Sequence, residues 1–433
     1  MTENTAKPYT AALAPGAGAL AAGPNAWLNR LRADALERAN SLAAPTTRDE
    51  DWRFTDLAPL YKTAYQPTRA PSELQRATVE PFFVPEAGSR LVYVDGHYVP
   101  ELSAIGTDGL VAGTVTDSMR DAPGLIEAHL SRLAGFEADP FVAVNTAYLQ
   151  HGAVVTAPRD RRVERPVHLL FLSTQPERAS YPRVLVVADR GAELTFIEDF
   201  VSLVEGAYLV NAVTEIAVGE NAGVRHIRVQ RESDQAFHIA TCGVSLARDA
   251  RYVAQSISLG GRISRLNHNV HQTGMGTDCA LDGLALIAGR QLADTHSSID
   301  HAQPDGRSRQ RHKCIVDGAA HAVFNGRIIV RRGAQRTDSA QSSRNLLLTG
   351  RARVDTKPQL EILADDVKCA HGATVGQLDP DHIFYLRSRG LSEAAAENLL
   401  TYAFAAEIVD RIPVATLRAR LEKLVTQRTQ VKA

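Results

Sequence analysis

The feature that most constrains the fold is the stretch from residue 152 to residue 378, where short runs of valine, isoleucine, leucine and threonine alternate with small polar turns. Such runs are typical of β-strands. No helical period interrupts them, which argues against the alternating strands and helices of a Rossmann fold or TIM barrel. A sandwich would end after roughly 100 residues. The stretch therefore predicts a solenoid of stacked β-coils, a β-helix. Its strands are expected at residues 167–173, 183–188, 193–201, 209–218, 224–230, 237–246 and 252–259.

Helical patterns flank the solenoid on both sides. Apolar residues recur at helical spacing after Asn25, helix returns at Asp379, and Ser392 is a candidate N-cap for a further helix. We expect these helices to cap the solenoid, whose edge strands would otherwise be free to pair with other chains. The chain is thus divided into a flexible tail (1–24), a mostly helical N-terminal domain (25–151), the β-helix (152–378) and a C-terminal helical domain (379–433).

Composition narrows the class of function. The chain has 48 Lys+Arg against 49 Asp+Glu and a formal net charge of -1, so its charge indicates neither a nucleic-acid-binding surface nor an acidic tail. The small-residue stretch before residue 25 lacks a basic run and is broken by proline and glycine, which favours a tail over a signal peptide. Cys242, Cys279, Cys314 and Cys369 are too scattered for a disulfide scaffold. We expect a cytoplasmic protein with reduced thiols that binds neither nucleic acid nor membrane.

The best local candidate for chemistry is the pair Cys369 and His371. The motifs of nucleotide-binding loops, serine hydrolases and zinc proteases do not occur in the sequence. Residues two apart on a strand project to the same side, and thiolate and imidazole both bind soft or borderline metals. The alternative is a buried cysteine beside a hydrogen-bonded histidine. His312 and Cys314 have the same spacing, but a structural role is the stronger expectation there. The other histidines of the stretch are interpreted as polar residues on a sheet face: His268, His271, His296, His301 and His321.

Four segments carry a family signature. They read DWRFTDL from Asp51, VDTKPQLEI from Val354, ADDVKCAHGATVG from Ala364 and FYLRSRG from Phe384. Together they resemble the SufB/SufD family of iron–sulfur cluster assembly proteins over nearly the whole chain. Chains of the SufB branch tend to read Glu-His-Glu-Ala where this sequence has CAHG from Cys369. The resemblance is therefore to the SufD branch, with a SufB-type scaffold as the close alternative.

The resemblance implies a right-handed parallel β-helix between helical domains. It also implies a scaffold without enzymatic activity, which pairs with SufB through the late coils and docks a SufC ATPase through its C-terminal helices. Nucleotide would bind to SufC and not to this chain, and the isolated chain could form a homodimer. His371 would face SufB and, with a SufB cysteine, hold a transient nascent iron–sulfur cluster, with Cys369 in a secondary role. The residues assigned to partner interfaces are Leu347, Asp355, Lys357, Pro358, Phe384, Tyr385 and Arg387.

Two other functional classes are compatible with the sequence. One is a purely structural adaptor that holds SufB and SufC together without contributing a cluster ligand. The other is a carbohydrate-active β-helix enzyme, which would use carboxylate clusters or calcium in a groove. Such enzymes are usually secreted, and the sequence shows no export signal, so this class ranks behind the scaffold.

Overall fold

A computed structural model describes residues 20, 22–106 and 109–429, so nearly all of the expected tail at 1–24 lies outside the described residues. The described chain is mainly β, and most of its strands form two long sheets, one with 11 strands and one with 10. Except at the two short antiparallel pairings near the start, neighbouring strands run parallel. The β-solenoid expected from the strand pattern is confirmed.

The strands are β1 (Gln66–Pro67), β2 (Ser89–Val94), β3 (His97–Tyr98), β4 (Val111–Thr114), β5 (Ala153–Ala157), β6 (Val167–Ser173), β7 (Arg178–Ser180), β8 (Arg183–Ala188), β9 (Glu193–Ser202), β10 (Leu209–Val218), β11 (Gly223–Arg231), β12 (Phe237–Leu246), β13 (Arg251–Ser258), β14 (Ile263–Gln272), β15 (Asp278–Ile287), β16 (Leu292–His301), β17 (Arg307–Val316), β18 (His321–Val330), β19 (Thr337–Leu347), β20 (Arg353–Ile362) and β21 (Val367–Gly376). The α-helices are α1 (Ala26–Ser41), α2 (Arg76–Val79), α3 (Val115–Asp121), α4 (Pro123–His129), α5 (Pro140–Ala147), α6 (Pro380–Ser388), α7 (Glu393–Val409) and α8 (Ala415–Thr429). Short 3-10 helices cover Glu50–Trp52, Leu60–Lys62, Glu80–Phe82 and Pro100–Leu102.

Each coil of the solenoid adds one strand to each sheet. Sheet 1, the 11-stranded sheet, has the order β20-β18-β16-β14-β12-β10-β8-β5-β4, with β1 and β7 beside this path. Sheet 2 has the order β21-β19-β17-β15-β13-β11-β9-β6-β2-β3. Successive coils stack in register, so that Phe237 pairs with Ile263 and Ile263 pairs with Leu292. Strands β2 and β4, which precede residue 152, supply the starting strands of both sheets.

The core lies between the two sheets, because side chains alternate along each strand and every second one points inward. In the early coils many of these inward residues are apolar, as with Phe196 and Val224, but some are polar, as with Glu198. In the last coils polar residues such as Gln310 and Gln341 are buried at inward positions. The interior is therefore mixed in the early coils and more polar near the end.

The C-terminal helices cover a sheet face and not the solenoid edge, so the expectation that they cap the edge strands is wrong. Leu417, Leu421 and Val425 of α8 are buried in one cluster with Ile227 and Ile257 of sheet 2, and residues of α7 join the same cluster. The physical reason is that sheet 2 carries apolar side chains on its outer face as well as its inner face. These outer residues would otherwise be exposed to water. No helix in the described part of the chain is long and apolar enough to cross a membrane.

Candidate functional site

The last two strands form an open end of the solenoid. Strand β20 pairs with β18 and β21 pairs with β19, and within the described residues neither has a strand on its other side. Such an edge presents a row of backbone N–H and C=O groups on which another chain can add a strand. Three large apolar side chains, Ile362, Leu363 and Val375, are also exposed at or beside these strands. The open end thus combines strand edges with exposed apolar surface, the two features of a protein interface.

Cys369 and His371 lie on β21 at this open end. They pair in register with Ser339 and Gln341 of β19, which are buried inward-facing residues, so both candidates belong to the inward-facing set. Cys369 is half-buried and packs against a small apolar cluster that includes Val330, and burial raises the pKa of its thiol. His371 is exposed, because no further coil follows β21 to cover it. The His371 imidazole is therefore the more accessible side chain of the pair.

The interior next to this strand is polar. The Gln341 side chain donates to the side-chain amide oxygen of Gln310 at 2.7 Å, and the Thr356 hydroxyl of sheet 1 donates to the Ser343 hydroxyl of sheet 2 at 3.0 Å. Within the described chain, the Gln341 Oε1 and Asn345 Oδ1 atoms are buried without a hydrogen-bond partner. Buried polar atoms are normally paired with protein or with ordered water. The end of the core is therefore suited to water or to a polar ligand.

The residues assigned to the SufB interface occupy different positions at this end. Asp355 accepts a hydrogen bond from the His321 ring at 2.7 Å, and Lys357 forms a 2.8 Å ion pair with Glu50 of the N-terminal region. Pro358 lies on the edge strand β20, where its missing N–H is tolerated. Leu347 is on β19, one strand in from the edge, and packs beside inward-facing apolar residues. The structure thus brings Asp355, Lys357 and Pro358 to the edge strand but leaves Leu347 partly buried.

Helix α6 presents a second exposed apolar surface. Phe384 is 73% exposed and Tyr385 is 57% exposed, and no residue of α6 is buried. Arg387 forms a 3.1 Å ion pair with Glu393 at the start of α7. Leu391 and Leu399 are exposed in the adjoining segment and on α7. We call Phe384, Tyr385, Leu391 and Leu399 the helical patch. Large exposed apolar side chains on one segment of the chain are candidates for contact with a partner.

The N-terminal motif around Trp52 is held against sheet 1. The Trp52 ring stacks on Phe141 with 5.4 Å between centroids, and the Arg265 guanidinium lies 3.9 Å from the Trp52 ring centre. Arg265 forms a 2.5 Å ion pair with Asp294, and both side chains are almost fully buried. Burial alone would raise the pKa of Asp294, but Arg265, His296 and Thr55 outweigh it and bring the pKa down to about 2. This motif therefore serves to attach the N-terminal region to the solenoid.

Sequence reasoning placed several histidines of the β-helix on a sheet face but missed one group of side chains. His268 and His301 lie on the inner face, where they are buried, whereas the side chain of His271 is half exposed. Among the described residues, His226, Cys242 and His268 form the one group of three or more side chains that could hold a metal ion. His226 and Cys242 were not singled out because their proximity depends on how the coils stack. His312 and Cys314 are both buried, as the structural interpretation of that pair expects.

Comparisons with known proteins identify the same family as the sequence motifs do. A family model described as "SUF system FeS cluster assembly, SufBD core domain" matches residues 171–404, and one described as "SufBD protein N-terminal region" matches residues 3–169. An "Iron-sulfur cluster assembly SufBD family protein" of Synechocystis is 40% identical over 412 residues, covering 92% of this chain and 90% of that protein. The "Iron-sulfur cluster assembly protein SufD" of Escherichia coli is 34% identical over 398 residues, covering 91% of each chain. The protein of the same name from Bacillus subtilis is 26% identical over 418 residues.

Proposed function

We propose that this chain, which belongs to the SufB/SufD family of iron–sulfur cluster assembly proteins and is of the SufD type, is a scaffold subunit. As such it pairs with SufB and with the SufC ATPase. Its role is to help build a nascent cluster at the SufB interface and to release it. The cluster is then the cargo of the complex and is held transiently. We place this complex in the cytoplasm.

The observation that carries the proposal is the open end of the solenoid. Its unpaired strand edges and exposed apolar side chains suit the addition of a partner's strands to β20 and β21. His371 and Cys369 lie on β21 and would come to the junction. Two copies of the isolated chain could pair through the same edges.

The ligand set supports a shared site. Iron–sulfur clusters are held by several thiolate or imidazole ligands. Among the described residues, His371 and Cys369 do not belong to any compact group of three or more potential metal ligands. A partner would therefore have to supply the remaining ligands. A site divided between two subunits also opens when the subunits shift, which gives a route for loading and release.

The helical patch is the surface we assign to SufC. The basic side chains of α8 are less suited, because Arg420 donates to the Phe83 carbonyl oxygen at 2.7 Å and Arg418 lies 3.7 Å from Glu422. These cations are already partnered within the chain. Phe384 and Tyr385, by contrast, are large, apolar and exposed. Because ATP hydrolysis is assigned to SufC, the isolated chain should show no ATPase activity.

The proposal is tested with His371→Ala, using His382→Ala as the matched control, since His382 is also an exposed histidine but lies on α6. Each variant is co-purified with SufB and SufC and reconstituted anaerobically, and bound iron and sulfide are measured together with the absorption spectrum. We expect the His371 variant to assemble with a normal melting profile but to hold little iron and sulfide, because it loses one ligand without a change in packing.

Cys369→Ala should reduce cluster content less than His371→Ala does, and His382→Ala should leave it unchanged. Normal cluster content and normal maturation of a client protein with His371→Ala would remove this residue from the mechanism. The chain would then be a structural adaptor within the same complex. Failure of the wild-type chain to bind SufB at all would overturn the scaffold proposal itself.

A further inference from the structure

A second set of metal-binding side chains lies inside the solenoid, separate from the open end. His226 on β11, Cys242 on β12 and His268 on β14 are 1%, 2% and 4% exposed. Their potential ligand atoms all lie within 4.8 Å of one another. Cys242 and His268 pair in register on neighbouring coils of sheet 1, and His226 reaches them from sheet 2. We propose that these three residues, with Tyr252, bind one divalent transition-metal ion of the zinc class.

Tyr252 places an oxygen between the three side chains. Its hydroxyl lies 2.9 Å from His226 Nδ1 and 3.0 Å from His268 Nε2, and it also interacts with the Cys242 thiol. The donor set is then two imidazole nitrogens, one sulfur and one phenol oxygen, which suits Zn²⁺, Co²⁺ or Fe²⁺. Tetrahedral zinc has bonds of about 2.0–2.3 Å, so its ligand atoms stand roughly 3.5 Å apart. Separations of up to 4.8 Å among the three side chains would contract by at most roughly 1.3 Å, and the distances from the Tyr252 oxygen to the two ring nitrogens would widen by roughly 0.5 Å. Rotation of the side chains would supply these changes.

The surroundings of His226 match those of a metal ligand. Its Nε2 atom lies 2.7 Å from Glu198, and the other oxygen of Glu198 accepts from the Thr214 hydroxyl at 2.6 Å. A carboxylate that accepts from one ring nitrogen fixes the tautomer and leaves a lone pair on the other nitrogen. In His226 that lone pair is on Nδ1, which faces Tyr252 and the other two side chains.

The charge of the interior also favours a cation. Glu198 and Glu232 are buried in one polar network with a single guanidinium, Arg228. His238 links Arg228 to Glu232 through hydrogen bonds, and burial lowers the pKa of His238. The network thus holds two carboxylates and one guanidinium, with the rings of His226 and His238 as further partners of the carboxylates. A divalent ion bound to the Cys242 thiolate would add one positive charge beside these carboxylates.

Because the site is buried, the ion would enter as the chain folds, and the test must load the protein during expression. The full-length chain is produced in cells grown with added Co²⁺ or Zn²⁺, and metal per chain is measured by mass spectrometry. The cobalt form is examined for the thiolate-to-cobalt charge-transfer band. We expect about one ion per chain, with this band present.

Matched variants locate the ion. Cys242→Ser and His268→Gln should lower the bound metal about tenfold or more. Cys279→Ser is the control, because Cys279 is also a buried thiol and pairs in register with Tyr252, but it is not in the group. A chain with both Cys369→Ser and His371→Ala should keep the ion, which separates this site from the proposed cluster site. Folding of each variant is checked by circular dichroism.

Wild-type protein that folds but holds far less than one ion per chain after either expression would overturn the proposal. Equal metal content in wild type and in folded Cys242→Ser would do the same. In either case His226, Cys242 and His268 would form only a hydrogen-bonded cluster around the Tyr252 hydroxyl. Neither result bears on the scaffold function, because that function depends on His371 and the edge strands.

Discussion

The ion pair between Arg265 and Asp294 should make a measurable contribution to stability, and Asp294→Asn removes it. Both side chains are nearly fully buried and 2.5 Å apart, and Arg265 also lies against Trp52. The substitution leaves the Arg265 guanidinium buried without its charged partner. Breaking a buried pair in this way costs about 3–5 kcal/mol. We therefore expect a loss of several degrees in melting temperature at neutral pH.

The pKa of Asp294 gives a second value for the free energy that this carboxylate contributes to folding. The pKa of Asp294 falls from its ordinary value of 3.8 to about 2 on folding. At about 1.36 kcal/mol per pKa unit, this difference is worth about 2 kcal/mol. Because the pKa is lowered in the folded state, the contribution is fully present above about pH 4 and is lost as the pH falls through about 2. The stability difference between wild type and Asp294→Asn should therefore shrink over that interval.

The assay is thermal melting of both proteins, followed by circular dichroism at a series of pH values between about 7 and 2. Asp338→Asn is the matched control, because Asp338 pairs with Arg309 at 2.7 Å but both side chains are well exposed. Exposed pairs contribute about 0–1 kcal/mol, so this control should melt close to wild type. Equal losses in the two variants, or a stability difference for Asp294→Asn that does not change with pH, would refute the reasoning.

Three further predictions concern the surfaces of the chain. Val375→Lys at the edge strand β21 should weaken SufB pairing in co-purification while SufC binding is kept. Val111→Lys is the control, because Val111 is also exposed but lies on β4 of sheet 1, at the other end of the solenoid, and it should affect neither partner. Equal loss of both partners with Val375→Lys would indicate misfolding. Phe384→Asp in the helical patch should weaken SufC binding, measured by calorimetry, and leave SufB pairing intact. Undiminished affinity for SufC would contradict the assignment of the helical patch to SufC docking. Deletion of residues 392–433 should lower the melting temperature and increase the binding of a hydrophobic dye, because it uncovers Ile227, Ile257 and Ile315 on sheet 2. A truncated chain that melts like wild type would contradict the packing of α7 and α8 on this sheet.

Local patterns in the sequence were sufficient to predict seven strands of the solenoid, β6 and β8 to β13. The strands expected at residues 167–173, 183–188, 209–218 and 237–246 have those bounds in the structure. Ser392 is the N-cap of α7, and its side chain accepts from the backbone N–H of Ala395 at 3.2 Å. Such features depend on side-chain alternation, turn residues and caps within a few positions of one another. Family motifs also read directly from the sequence and led to the same family as the comparisons.

Tertiary structure alone decided which residues meet across the coils. Ile263 pairs with Phe237 on one side and Leu292 on the other, and these spacings along the chain are unequal, so no fixed period in the sequence reveals the register. His226, Cys242 and His268 come together because of that register and because the two sheets face each other across the core. The position of α7 and α8 on sheet 2 likewise depends on an outer apolar face assembled from many coils. The sequence by itself determined the strands, the helix caps and the family, because their signals are local, whereas the contacts between coils are set by packing across the whole solenoid.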